Sequence, residues 1–379
     1  MKILLMDAAF AAEPIYQALI RSGHEVWVIG NRASDVLAAK AGQRWVKQDY
    51  SKVDEVRDHL IRLGIDRVVP GCTDVSLETC VKLGKPWFLG DALEINTKLS
   101  DKAAFRRMCV ELDLPAPQVV GADSFPLEGK FICKPVDAFS GRGISVFDGT
   151  DLAGLRSALA LGSAESRSGQ CVIETFCEGF LYSCSAFFIQ GKIAQAFYVR
   201  EGSSVNPYAV DTSYVDVDFA GEAQVQLEGG LQRLALHLQL TDGLLHTQFI
   251  VSDGKPCLVE LTRRCPGDLY SLLIEFSTGI PYADHYASFF VGDSMANTPQ
   301  QVCHVLRHTV TADSAGVYNG LRFIQPEPIK AFFPLLPVGE SLLPRQGNRA
   351  GVLFSAYASQ NGMEQAFERF MNRSAYFVV

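Results

Sequence analysis

The sequence has no run of roughly 18 uninterrupted apolar residues, so no membrane-spanning helix is expected. Basic excess is missing too: 34 Lys and Arg stand against 42 Asp and Glu, a formal net charge of −8. The averaged field therefore repels phosphate backbones and anionic membrane surfaces, and neither nucleic acid nor membrane is an expected partner. No C-x-x-C pair occurs among the ten cysteines, which argues against a structural zinc site and for reduced, scattered thiols in a cytoplasmic protein. A G-x-G-x-x-G turn is absent after the first apolar run, where Asp7-Ala8-Ala9-Phe10 stands, so a dinucleotide site is not expected. No G-K-[ST] sequence follows any glycine-rich stretch, which excludes a Walker A loop.

What is present is ample apolar material, 48% of residues, with 20% charged, over a length suited to two or three domains. The opening apolar run, broken by Asp7, reads as a buried first strand and not as a leader. Short β-rich runs at Lys2 to Met6, Val26 to Ile29 and Arg67 to Val69 alternate with helical patterns, among them Val53, Val56, Leu60 and Ile61 on one face. This predicts a parallel βαβ unit over about the first 95 residues. A helix is predicted from Leu99 to Val110, carrying Lys102 and stopped by Pro115 and Pro117. Strands are expected at 131–134, 143–147, 171–174, 182–189 and 192–199, a helix at 227–240, and a hairpin of 244–251 with 256–261 around Asp253-Gly254. Beyond about residue 300, β-like runs and a helix from Met363 to Met371 suggest a small closing lobe. The fold class is thus α/β followed by α+β with antiparallel sheet.

Two stretches carry chemistry. In Lys134-Pro135-Val136-Asp137-Ala138-Phe139-Ser140-Gly141-Arg142-Gly143, the glycines allow close backbone approach, Ser140 offers a hydroxyl and Lys134 a compact charge for phosphate oxygens. An ordinary glycine-containing hairpin with an exposed Lys reads equally well. The second stretch joins Gln248 to Glu260, Thr262, Arg263, Arg264 and Pro266-Gly267-Asp268. A three-residue loop would place Gln248 opposite Glu260, whereas a two-residue turn would place Thr247 there. Glu260 could hold Mg²⁺ with Gln248 as a weaker carbonyl ligand, and Arg264 could offset charge on a transferring phosphoryl group. A surface Glu/Arg pair at a strand end is the plainer alternative.

Read in order, these pieces resemble the ATP-grasp superfamily over essentially the whole chain. The resemblance implies a Rossmann-like pre-ATP-grasp domain at 1–97, an ATP-grasp domain at 98–300 with its lid at about 115–175, and a C-terminal closing lobe at 301–379. Lys102, in Ser100-Asp101-Lys102, is similar to the first nucleotide lysine, and Lys134 to the second. Gly141 and Gly143, with Ser140, look like the lid. Thr175, Phe176 and Cys177 would meet adenine through their backbone and Glu174 its amino edge. Glu260-Leu261-Thr262-Arg263-Arg264 resembles the metal and catalytic stretch E-x-N-x-R. Gln248 and Thr262 depart from the family's carboxylate and Asn, which implies one firmly held Mg²⁺ and a second held mostly by ATP. Leu181 replaces the usual ribose-contacting acid.

The implied activity is ATP-dependent joining of a small-molecule carboxylate to an amine through an acyl phosphate, with Arg264 and Lys134 catalytic. Carboxylation through carboxyphosphate and a degenerate ATP-binding protein without turnover are the alternatives. Arg200, Ser204 and Asn206 lie at or in the polar stretch 201–218, where such an enzyme would carry a substrate loop. Asp268 either positions substrate or caps the helix beginning near Leu269. His246 could face ATP or be structural. Family habit implies a homodimer.

Overall fold

The computed structural model describes every residue except 139 and 140 and the side chain of 346. Four parallel strands open the chain: β1 (Lys2–Met6), β2 (Glu25–Gly30), β3 (Trp45–Lys47) and β4 (Arg67–Pro70), in the spatial order β3-β2-β1-β4. Ile3 to Met6 are fully buried, as expected of a parallel strand covered on both faces. The crossover helix Val53–Leu63 turns Val56 and Leu60 into that core, but Ile61 is exposed. In place of the single helix expected from Leu99 there are two, Leu93–Ser100 and Lys102–Glu111. Asp101 breaks them apart: its backbone is extended and its carboxylate accepts a hydrogen bond from the Ala104 N–H at 2.6 Å, capping the second helix.

A three-stranded antiparallel sheet follows, with β5 (Lys130–Pro135) between β6 (Ser145–Asp148) and β7 (Cys171–Thr175). The helix Leu152–Glu165, opened by the Asp151 side chain, supplies Leu155 and Ala158 to its small core of Phe131, Cys133, Phe147 and Ile173. Next come β8 (Phe180–Ile189), β9 (Lys192–Gly202), β10 (Thr212–Val215), β11 (Gly243–Ser252), β12 (Lys255–Thr262) and β13 (His304–Val310). The chain then makes β14 (Gly316–Val317), β15 (Leu321–Phe323), β16 (Ile329–Pro334), β17 (Ser341–Leu342), β18 (Gly351–Tyr357) and β19 (Tyr376–Val378). One eight-stranded sheet takes the order β12-β11-β8-β9-β10-β13-β18-β16, while β14 pairs with β17 and β15 with β19. The segment after residue 300, expected as a small closing lobe, extends the central sheet through β13, β16 and β18. The helix Gln360–Met371 packs on it through Met363, Ala366, Phe367 and Phe370.

The two faces of the large sheet serve different cores. Cys184, Ala186, Leu245 and Phe249 meet the helix Glu222–Leu238. On the other face, Phe187, Phe197, Val199 and Leu244 meet the helices Tyr270–Thr278 and Tyr282–Val291, which share a core with the parallel sheet. Along β8, β9 and β11 this second face turns from apolar to polar, through Ser185, Ser183, His246, Gln248 and Glu201. No helix among the described residues is long and apolar enough to cross a membrane.

Candidate active site

The hairpin of β11 and β12 turns on Asp253 and Gly254, both with positive φ, between the paired Ser252 and Lys255. This is the two-residue turn that would set Thr247 opposite Glu260. A β-bulge intervenes: Phe249 pairs with Leu258, but Gln248 pairs with Glu260, leaving Val259 as the extra residue. Gln248 and the exposed Glu260 thus stand side by side, with Thr262 opposite His246 one step along. Gln248 donates through Nε2 to Glu201 Oε2 at 2.7 Å. Glu201 is buried, which raises its carboxyl above the ordinary range against the pull of Ser183, Gln248 and Arg307. A carboxylate therefore adjoins Gln248 after all, contributed by β9. His246 is structural: it is buried, pushed down to about 3 by desolvation, and its Nδ1 lies 2.9 Å from Ser185 Oγ.

The three-stranded sheet meets this hairpin through a cluster built on Glu174 of β7, which is fully buried. Arg106 Nε donates to Glu174 Oε1 at 2.6 Å, and Lys134 Nζ to Oε2 at 2.7 Å. Burial alone would raise the Glu174 carboxyl, but Lys134 and Arg106 outweigh it and hold it below the usual range. Arg106 also donates through Nη2 to the Val259 carbonyl at 2.8 Å. One guanidinium thus ties Glu174 to the bulge that sets the Gln248/Glu260 register. Both carboxylate oxygens of Glu174 are engaged by cations, so its side chain serves as this clamp. The Thr175 N–H donates to the Gln118 carbonyl and the Phe176 N–H to that of Lys130, so adenine would have to meet other backbone groups of residues 175–177.

Lys102, half-buried in the first turn of its helix, points Nζ at the carbonyls of Val136 (3.5 Å) and Ala138 (3.4 Å). Ser140 lies outside the described residues. Gly141 and Gly143 have φ of 72° and 70°, and a Cβ on Gly141 would come within 2.6 Å of the Tyr208 Cβ. A Cβ on Gly143 would meet Glu165 and Pro135, each at 2.7 Å. Glycine is required at both positions by conformation and by space.

Arg264 forms a bidentate pair with Asp74, Nε to Oδ1 at 2.6 Å and Nη2 to Oδ2 at 3.1 Å. Asp74 opens the helix Asp74–Leu83, so Arg264 joins the central sheet to the parallel-sheet unit. The expected substrate loop is rearranged. Arg200 belongs to β9, stacks over Phe180 with its guanidinium 4.4 Å from the ring centre, and donates to the Leu181 carbonyl. Ser204 is closed onto Asp211, both its N–H and Oγ lying 2.8 Å from Oδ2. Asn206 Oδ1 accepts from the Tyr208 N–H at 3.0 Å. Asp268 does not cap the following helix, whose N-cap is Leu269 without a side-chain bond; its carboxylate faces Arg349 and Arg307 instead.

Arg106, Glu201 and Asp74 were not expected from the sequence. Arg106 sits one helical turn after Lys102, the one local signal that could have marked it.

No family model and no curated protein sequence matches the chain. Solved structures do match it. Phosphoribosylglycinamide synthetase from Anaerococcus prevotii superposes with a TM-score of 0.76 at 14% identity, over 100% of this chain and 99% of that one. L-amino acid ligase from Bacillus licheniformis gives 0.76 at 19%, over 100% and 98%. The biotin carboxylase domain of the Hydrogenobacter thermophilus 2-oxoglutarate carboxylase, in complex with MgADP and bicarbonate, gives 0.75 at 12%, over 100% and 90%. The parallel sheet, the three-stranded sheet and the long antiparallel sheet together give this chain the ATP-grasp fold from end to end.

Proposed function

We propose that the chain is an ATP-dependent ligase that joins a small-molecule carboxylate to an amine, releasing ADP and phosphate. The observation that carries this reading is the junction made by Arg106, which ties the Lys134–Glu174 pair of the three-stranded sheet to the bulge that sets the Gln248/Glu260 pair. Phosphates entering there would meet Lys134 and Lys102, two compact positive charges.

Among the described residues no group of three or more His, Cys, Asp or Glu could hold a metal by itself. Glu260, the Gln248 carbonyl and the Thr262 hydroxyl fit an ion that takes most of its oxygens from nucleotide phosphates, as Mg²⁺ commonly does. Bound there, Mg²⁺ would neutralise charge on the phosphates.

The chain's own contribution is positioning and electrostatics, since no activated nucleophile is required of it. A substrate carboxylate oxygen attacks the γ-phosphorus, the bond to the bridging oxygen breaks, and ADP leaves. Lys134 and Arg264 offset the charge that develops. The amine then attacks the acyl carbon, and phosphate departs. Arg264 is aimed by Asp74, so closure of the parallel-sheet unit and charge placement are linked through one pair.

The test is ADP and phosphate release by the purified chain with ATP, Mg²⁺ and pooled carboxylates, with and without pooled amines. Release that needs both pools supports the ligase. Release with bicarbonate alone would assign carboxylation instead, and nucleotide binding without turnover in any arm would assign a non-catalytic protein.

A further inference from the structure

Ten free cysteines include three pairs whose thiols perturb each other's ionisation: Cys72 with Cys265, Cys133 with Cys171, and Cys177 with Cys257. The first pair is buried on both sides. In the second, Cys133 is fully buried and desolvation pushes its thiol up to about 12, so it stays protonated and inert. Only in the third are both partners half-exposed.

The surroundings of that third pair follow from the two sheets. Cys177 lies in the short connection between β7 and β8, directly after the Glu174 strand. Cys257 pairs with Ile250 on the hairpin face that carries Gln248 and Glu260. The connection is seated on the hairpin: Gly179 approaches the Val251 carbonyl and the Ile250 side chain so closely that no Cβ would fit. The Cys177 thiol is drawn down to about 7, first by its hydrogen bond with Cys257 and then by the charges of Lys134 and Arg106, against burial and Glu174. A thiol that ionises near neutrality, is reachable from solvent and lies in a connection seated on the strand pair that carries a second thiol has what an oxidant-sensitive cysteine needs.

We propose that Cys177 and Cys257 are a redox modification site: a hydroperoxide oxidises Cys177, Cys257 resolves it to a disulfide, and nucleotide entry is blocked. The Cys177 thiolate attacks one peroxide oxygen and the O–O bond breaks, so the other oxygen leaves as an alcohol or water after taking a proton. Cys177 is now a sulfenic acid. The Cys257 sulfur attacks it, the S–O bond breaks, and the hydroxyl leaves as water with the Cys257 proton. Two thiols have lost two electrons, and the peroxide has gained them. The new bond, about 2.05 Å long, pins the connection after β7 to β12. The effect on nucleotide rests on the reading that residues 175–177 face adenine; the thiol chemistry does not.

The experiment treats the reduced full-length protein with hydrogen peroxide, blocks remaining thiols and maps the cross-linked peptides by mass spectrometry. Binding of a fluorescent ATP analogue is measured before oxidation, after it, and after dithiothreitol. The expected first disulfide is Cys177–Cys257, with nucleotide affinity falling by a factor of about ten and returning on reduction. In Cys257→Ser, dimedone should trap a sulfenic acid on Cys177 and no disulfide should form there. A first disulfide elsewhere, or a Cys177 that remains alkylatable under excess peroxide, overturns the proposal. A Cys177–Cys257 bond that leaves nucleotide affinity unchanged overturns its blocking effect. Absence of nucleotide binding in the reduced protein would instead overturn the nucleotide reading, and the cross-link would still decide the thiol pair.

Discussion

Glu174 is the one anion between two buried cations, and replacing it with Gln tests the charge balance of the cluster without changing its shape. In Glu174→Gln, Arg106 (4% exposed) and Lys134 (8%) lose both charged hydrogen bonds and face each other unneutralised. Removing one partner of a buried pair costs about 3–5 kcal/mol, and at roughly 2 °C per kcal/mol for a chain of this size the melting temperature should fall by about 6–10 °C. Arg106→Met should be milder, because Lys134 still neutralises Glu174 and the main losses are the hydrogen bonds to Glu174 and Val259. That variant should cost about 1–3 kcal/mol. The double variant should recover part of the loss of Glu174→Gln, since one unpaired cation is gone. Thermal melting followed by circular dichroism, with the three variants side by side, is the assay. A drop under about 2 °C for Glu174→Gln, or a double variant less stable than both singles, would refute the buried-clamp reasoning.

The same clamp sets a pH dependence. The Glu174 carboxyl lies below its unfolded value of 4.5, so its stabilisation is fully present above that pH and fades as pH falls through the lower folded value. Melting temperatures taken from pH 6 down to pH 3 should therefore decline more steeply in the wild type than in Glu174→Gln. Asp74→Asn removes the carboxylate from Arg264 and should loosen the parallel-sheet unit, seen as faster hydrogen exchange in the helix Asp74–Leu83. Arg264→Ala should show the same loosening together with loss of turnover, whereas an Arg264 role confined to phosphoryl charge predicts no change in exchange. Gly141→Ala, at φ 72° and facing Tyr208, should strain the turn by roughly 1–2 kcal/mol or more and raise the ATP concentration needed for half-maximal rate severalfold. Iodoacetamide labelling of Cys177 should show a midpoint at about pH 7, and a midpoint at the ordinary value of about 8.5 would remove the charge argument made for it.

Much of the fold was legible where local pattern and final packing agree. The first strand, Lys2–Met6, the hairpin around Asp253-Gly254 and the strands flanking Gln190-Gly191 were each announced by turn chemistry or apolar runs. β3 was not, because three residues carry too little periodicity to stand out. Turn chemistry left the register of Gln248 with Glu260 open between two loop lengths. The turn is the two-residue kind, and the bulge at Val259 supplies the extra residue. Nothing near Val259 in the sequence marks that bulge; its carbonyl is held by Arg106 from 153 positions away. Glu201 and Arg106 escaped notice for the same reason. Each reads locally as a charged residue beside another charge, and each finds its partner, Gln248 or Glu174, only across the folded chain. That β16 and β18 join the central sheet was not legible, because they have β character in sequence but no local sign of the sheet they join.

The central claim is that a carboxylate is activated by phosphoryl transfer beside the junction made by Arg106. Its most direct measurement uses pooled carboxylates labelled with ¹⁸O in both carboxyl oxygens, together with ATP, Mg²⁺ and pooled amines, and follows the isotope content of the released phosphate. An acyl phosphate hands one labelled oxygen to phosphate in each turnover, so the account predicts phosphate carrying one ¹⁸O, formed in step with ADP. ADP release that depends on both pools but yields unlabelled phosphate would contradict it.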